Sequence, residues 1–315
     1  MLAYLLGLLA GIAQPTQTSC NGKISDRLDS PYITTYVTTA TAITVLFVVL
    51  TITEGGVHIP FARIAENPAW IWCGGLCGTV IILTSIACLP KLGSAVTVML
   101  TAFGQIMIGL IIDNFGLFQS KQIEITSIRA IGALLVCVGV VLVSMKNSAK
   151  ANSAVPCEDS GKLIIYPFLA ILCGIACGIQ VAINGALGVA AGSSMIATLI
   201  SMCVAMIGIT IVTVFILVTT GKNGLFYGGK PVKFEFKWWM LSGGVLGTII
   251  VGSNAVVAPI LGAGIVTILN LVGEMAMGLF IDAIGFLGIE KKPVTLIKII
   301  GILVMIAGTA IISMR

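Results

Sequence analysis

The run Gly109-Leu110-Ile111-Ile112-Asp113, followed by Gly116, returns 169 residues later as Gly278-Leu279-Phe280-Ile281-Asp282, followed by Gly285. A recurrence at fixed spacing marks an internal repeat, and the match extends in both directions without a gap. Upstream, Gly74-Gly75-Leu76-Cys77-Gly78-Thr79 meets Gly243-Gly244-Val245-Leu246-Gly247-Thr248. Pro90, Leu92 and Gly93 meet Pro259, Leu261 and Gly262, and Gly104 meets Gly273. Downstream, Arg129 meets Lys298, Gly132 meets Gly301 and Gly139 meets Gly308. The first part of the chain aligns at an offset of 163: Gly11-Ile12-Ala13 on Gly174-Ile175-Ala176, Gln17 on Gln180, Asn21-Gly22 on Asn184-Gly185. The six-residue difference falls in a loop, around residues 221–237, where an insertion costs little.

The composition says what surrounds this repeat. Of the 315 residues, 58% are hydrophobic and 9% are charged. Soluble domains carry roughly 25% charged residues, so most of this surface must face lipid. A spanning helix needs about 20 apolar residues. Each half offers five such segments: near 2–21, 32–53, 69–88, 93–112 and 127–145, then 163–184, 195–219, 238–257, 262–281 and 295–313. The expected architecture is an all-α membrane protein of ten transmembrane helices, with a first repeat over 1–146, a polar linker over 147–162 and a second repeat over 163–315. Five is an odd number, so the second half starts on the opposite side of the bilayer and is inverted. Inverted repeats of this kind are common in secondary transporters.

Orientation follows from the basic residues. The side with the 1–2, 3–4, 5–6, 7–8 and 9–10 loops holds thirteen of the seventeen Lys and Arg; the other holds Arg63, Lys121, Arg129 and Arg315. Both termini are therefore expected outside. The segment 1–20 lacks a basic start and has a counterpart in mid-chain, so it reads as a structural helix rather than a cleaved leader. The net charge of +5 comes from scattered loop residues and forms no nucleic-acid stripe. The partners expected are the lipid bilayer and a small-molecule substrate, with protons as the candidate coupling ion, in a monomer or homodimer.

Polar groups inside a span are costly unless they face a cavity or a partner. Glu274 is the only acidic residue so deep in any predicted span, and Gln105 stands at its place in the first half. A lone carboxylate there carries a proton, binds a cationic group, or is held by a hidden donor. Asn270 lies one turn earlier on the same face, and Asn254 is a second deep amide. Gln17 and Gln180, equivalent in the repeat, either line a cavity or bond helix to helix. Gln14 is a further amide in the first helix. Asn21 and Asn184, each before a glycine, read as caps at helix ends. Asp113 and Asp282 are expected to pair with Arg129 and Lys298. The tryptophans Trp70, Trp72, Trp238 and Trp239 read as interfacial anchors.

Several chemistries find no support in the residues. Cys73/Cys77 and Cys173/Cys177 have i, i+4 spacing, but no His or carboxylate flanks them, so they read as small packing residues and no metal or cofactor is expected. The lone His58 lies in a loop, and no phosphate loop or metalloprotease motif occurs, so the chain reads as a non-enzyme. Asn67-Pro68-Ala69 matches the water-channel tripeptide, but its repeat position reads Phe236-Lys237-Trp238; it reads as a helix start with proline in the first turn.

Taken together, Pro90-Lys91-Leu92-Gly93, Gly104-Gln105 and Asp113-Asn114-Phe115-Gly116, repeated as Pro259 to Gly262, Gly273-Glu274 and Asp282 to Gly285, carry a resemblance. The pattern resembles a bacterial family of five-helix membrane domains in the drug/metabolite transporter superfamily, described as inner-membrane exporters. This chain resembles a fused pair of them. The resemblance implies a bacterial cytoplasmic (inner) membrane location and export of small metabolites or drug-like compounds, without naming the substrate. Glu274 in place of the first half's Gln105 departs from a symmetric mechanism. The competing readings are a passive channel and a non-transporting scaffold or lipid-handling protein.

Overall fold

The computed structural model of the chain describes residues 1–144, 165–221, 225, 237–285 and 294–313. All regular structure among them is helical. The helices are α1 (Leu2–Leu28), α2 (Pro31–Glu54), the short α3 (Phe61–Ala65), α4 (Gly74–Phe115), α5 (Ser127–Ser144), α6 (Ile165–Ala191), α7 (Ser194–Thr220), α8 (Ser242–Leu261), α9 (Ala263–Ile284) and α10 (Leu296–Ser313). The expected linker and its Cys157 lie outside the described residues.

Among the described residues six segments are long and apolar enough to cross a membrane: Pro31–Glu54, Thr97–Phe115, Ile165–Ala191, Ser194–Thr220, Trp238–Leu261 and Ala263–Ile281. Ser127–Val143 and Leu296–Ile312 are shorter apolar helices. The helix α1 has the length, but the polar run from Gln14 to Asn21 lowers its hydropathy.

Local sequence sets the ends. Ser30 accepts from the Ile33 N–H at 3.3 Å and starts α2, with proline following it. Its repeat equivalent Ser193 accepts from Ile196 N–H at 3.4 Å and starts α7. Each supplies an acceptor for an amide that the first turn leaves unpaired. Gly262, at φ +92°, separates α8 from α9.

The equivalent boundary in the first half is not a break. Two helices are expected over 69–88 and 93–112; one helical run, α4, is found, preceded by a 3₁₀ turn at Ala69–Trp72. A straight helix of that length would measure about 63 Å. Its contacts rule that out. Gly74 meets Asn184, Gly78 meets Gln180, and the Cys88 thiol donates to the Tyr166 carbonyl at 3.4 Å. Farther on, Gly104 meets the Ile171 backbone and Ile108 meets Gly178. Residues 74 and 108 would stand about 51 Å apart on a straight helix, yet they touch residues 184 and 178, about 9 Å apart. The two limbs of α4 therefore run alongside α6 in opposite directions, and the chain turns between residues 88 and 101.

The same contacts recur in the other half. Gly243 meets Asn21 and Gly247 meets Gln17, while Gly273 packs on the Leu8 and Ile12 backbone. Gly11 lies against Asn270 as Gly174 lies against Thr101. Thus α1 is clasped by α8 and α9, and α6 by the two limbs of α4. Each half lends its first helix to the other. Asn21 and Asn184 do not cap helix ends as expected. Both helices run on for several residues, and the amides instead press on glycines, where only a missing side chain leaves room.

Outside this centre, α5 packs on α10 through glycines at equivalent levels. A Cβ on Gly301 would come 2.8 Å from the Gly139 carbonyl and 2.8 Å from Val143. Small residues permit this approach, and dispersion holds it. We expect Gly301→Val to cost about 2 kcal/mol through overpacking, read as a lower unfolding midpoint in a denaturing-detergent titration. An unchanged midpoint would mean that this pair does not pack as described.

Candidate functional site

The polar residues of the central helices form two adjoining groups. In the first, Asn270 of α9 donates from Nδ2 to Asn254 Oδ1 of α8 at 2.9 Å, both buried. The Asn270 Oδ1 atom, also buried, has no hydrogen-bond partner among the described residues. Such an orphan acceptor costs about 1–3 kcal/mol, so a ligand or water that donates to it would be welcome there.

One turn further along α9 stands Glu274. Its electrostatic neighbours are Cys173 and Cys177 of α6. The Cys177 thiol lies close to Gln105 of α4 and to Cys173. Gln105 is buried. Gly174 and Gly178 make the approach possible, since α6 there lies on the α4 backbone at Thr101, Gln105 and Ile108. Glu274 and Gln105, equivalent in the repeat, thus share a common neighbour in Cys177. Among the described residues no group of three or more His, Cys, Asp or Glu is arranged to hold a metal ion.

Gln17 and Gln180 take the helix-to-helix role of the two open at the sequence level. Gln17 Nε2 donates to the Gly243 carbonyl at 2.8 Å, and Gln180 Nε2 to the Gly74 carbonyl at 3.3 Å. The structure therefore gathers Glu274 with Gln105, and Asn270 with Asn254. It keeps Gln17 and Gln180 as lateral ties. The thiols were missed by reasoning from residue type, which treats a cysteine in an apolar run as packing. The repeat register held the signal: Cys177 falls opposite Gln14, a polar residue in a span.

A charged clasp fixes the start of the helix that carries Glu274. Asp113, wholly buried, pairs with Arg129 at 3.2 Å and accepts from the Gly264 N–H at 3.0 Å. Arg129 also donates to the Ile123 and Glu124 carbonyls at 2.7 and 3.1 Å. The expected pairing is present, and it does more than pair: a carboxylate at the amino end of α9 complements that helix's positive terminus. The matching Asp282 side chain lies outside the described residues.

Aromatic and polar contacts join the segments that flank α4. Trp70 meets Phe118 edge-on at 5.2 Å, and Trp72 stacks on Phe61 at 6.2 Å. Asn67, of the water-channel tripeptide, accepts from Gln119 at 3.3 Å and takes no part in the central group. Phe118 and Gln119 both have positive φ, 56° and 57°, a strained pair over a small cleft of about 50 Å³ lined by Ala186 and Pro259 among others. None of the central polar residues lines that cleft.

Comparison with known proteins agrees with the repeat. No curated protein matches the chain. A solved structure described as "Crystal structure of protein" is similar in fold, with a TM-score of 0.65 at 13% identity over 98% of this chain and 94% of its own. A family model described as "Putative inner membrane exporter, YdcZ" matches twice, over residues 2–142 and 165–311. The chain is a multi-pass membrane protein that belongs to this inner-membrane exporter family of the drug/metabolite transporter superfamily, as a fused pair of its domains.

Proposed function

We propose that this protein is a secondary-active exporter of small metabolites or drug-like, cationic compounds, working by alternating access and coupled to protons through Glu274. Its ten spans form two inverted five-helix repeats over 1–146 and 163–315, joined by a linker over 147–162, with both termini outside. Substrate binds near mid-membrane at the repeat interface, among Glu274, Asn270, Gln105 and Asn254. Gln17 and Gln180 hold the helices that frame it.

One observation carries the reading. The contacts of α1 with α8 and α9 repeat, residue for residue, those of α6 with the two limbs of α4. Two inverted halves joined this way can exchange conformations, so that a site between them opens to one side and then the other. Glu274, the one acidic residue deep within a predicted span by sequence, lies on α9 beside these contacts. The odd number of spans per half and the exporter family favour transport over a scaffold.

The test is a flux assay in sealed proteoliposomes carrying a pH gradient, with a panel of amines and small metabolites. The expected result is accumulation of a subset of amines above their outside concentration, abolished when the gradient is collapsed. Movement that only ever runs downhill, and ignores the gradient, would replace the exporter with a passive channel. No movement of any compound would favour the scaffold.

A further inference from the structure

The site as described has a second wall that residue types alone do not disclose. Glu274, Cys177 and Gln14 each keep part of their surface uncovered. Yet all three lie inside their helices among closely packed neighbours. Leu271, Val272 and Met275 around Glu274 are buried, as are Cys173, Ala176 and Val181 around Cys177, and Ala10 and Ala13 around Gln14. Cys177 faces inward, since Gly174 and Gly178 beside it turn this side of α6 onto the α4 backbone at Thr101, Gln105 and Ile108. Uncovered surface on inward-facing groups at that depth means a void between them rather than lipid.

The repeat register then places the fourth corner. At offsets of 163 and 169, Cys177 corresponds to Gln14 and Gln105 to Glu274. The surrounding contacts obey this register: Gly174 on Thr101 answers Gly11 on Asn270, and Gly104 on Ile171 answers Gly273 on Leu8. Gln14 therefore stands toward Glu274 as Cys177 stands toward Gln105. Pro15 follows Gln14 inside α1 and has no N–H to give the Gly11 carbonyl, which leaves one more acceptor at this level.

We propose that Gln14 and Cys177 complete a four-cornered cation site with Glu274 and Gln105. Gln14 stands across the void from the Glu274 carboxylate and offers its amide to a ligand. Cys177 forms the weakly polar wall of the same water-filled void. One carboxylate and two amide oxygens suit a monovalent organic ammonium ion, whose N–H groups find acceptors on three sides and whose carbon body lies against sulfur. The proposal rests on the reading that Glu274 faces the pathway.

The experiment uses two methanethiosulfonate reagents of similar size on the full chain in liposomes: the trimethylammonium-ethyl cation and the sulfonatoethyl anion. In each reaction the Cys177 sulfur attacks the reagent's sulfenyl sulfur, a mixed disulfide forms, and methanesulfinate leaves. Mass spectrometry reads the rate at the Cys177 peptide, and the denatured chain serves as the reactivity control. A neighbouring carboxylate attracts one reagent and repels the other, so the cation should label Cys177 about tenfold faster. In Glu274→Gln that ratio should fall to about one. In Gln14→Glu, a second carboxylate across the void, it should rise.

A Cys177 that reacts only after denaturation would overturn the void. A rate ratio indifferent to Glu274→Gln would remove Glu274 from it, and one indifferent to Gln14→Glu would remove Gln14. These outcomes are separate from transport. Charge-selective labelling without uphill flux would keep the cation site and discard the exporter.

Discussion

Replacing Glu274 with glutamine is expected to abolish pH-driven accumulation while leaving the protein folded. The substitution keeps the size and shape of the side chain and removes its ability to exchange a proton. Glu274 sits at the level where α9 crosses α1 and approaches the centre of the bundle, next to Cys173 and Cys177. If Glu274 couples proton to substrate as proposed, its loss unlinks substrate from the gradient. The uphill rate should fall about a hundredfold or more, the equivalent of about 2.7 kcal/mol of lost coupling. Downhill exchange of substrate for substrate should survive in part. The repeat itself supplies the reason to expect a folded variant: the first half already carries glutamine, Gln105, at this position, and it is buried. Retained uphill flux in Glu274→Gln would remove the carboxylate from the mechanism.

The second large effect concerns stability. Arg129→Leu is expected to cost about 3–5 kcal/mol, the usual consequence of stripping one partner from a buried ion pair. Asp113 has no exposed surface, and without the guanidinium its carboxylate would keep only the Gly264 N–H among the side-chain bonds described. The loss should spread, because Arg129 also ties down the Ile123 and Glu124 carbonyls in the loop ahead of α5. Adding Asp113→Asn should recover part of the loss by removing the stranded charge. The measurement is the unfolding midpoint in a denaturing-detergent series for the wild type, the single variant and the double variant. Equal midpoints for wild type and Arg129→Leu would contradict the clasp.

Much of this molecule was legible in its sequence because the chain states its plan twice. The alignment of Gly74 with Gly243, Gly104 with Gly273 and Gln17 with Gln180 set up contacts that the structure then displays in matching pairs. The Asp113–Arg129 pair was legible for a simpler reason: two opposite charges near one end of adjacent helices have few other partners. Element ends were less legible. Asn21 and Asn184 precede glycine, a signature of helix termination in water, but a membrane-embedded helix keeps its backbone bonds regardless and runs on. The turn within α4 was legible as the boundary between the expected segments 69–88 and 93–112; what the sequence did not show is that the helical pattern continues through it from Gly74 to Phe115. Cys173 and Cys177 were read as packing residues because a thiol is apolar by type. Their role comes from the neighbours that folding brings, and no local pattern reports those.

The clasp and the site belong to one helix. Asp113 holds the amino end of α9 at Gly264, and Asn270 and Glu274 follow along the same helix at one-turn intervals. A movement that shifts α9 against the first half must therefore act on the acceptor at Asn270 and the carboxylate at Glu274 together. That coupling is what an exchanger needs, because proton and substrate must not leave independently.

The most direct measurement is proton release from the purified protein in weakly buffered detergent solution while the amines that move in the flux assay are titrated in. The account predicts saturable release approaching one proton per chain, absent in Glu274→Gln. Saturable binding of such an amine with no proton released, or with equal release in wild type and Glu274→Gln, would contradict it.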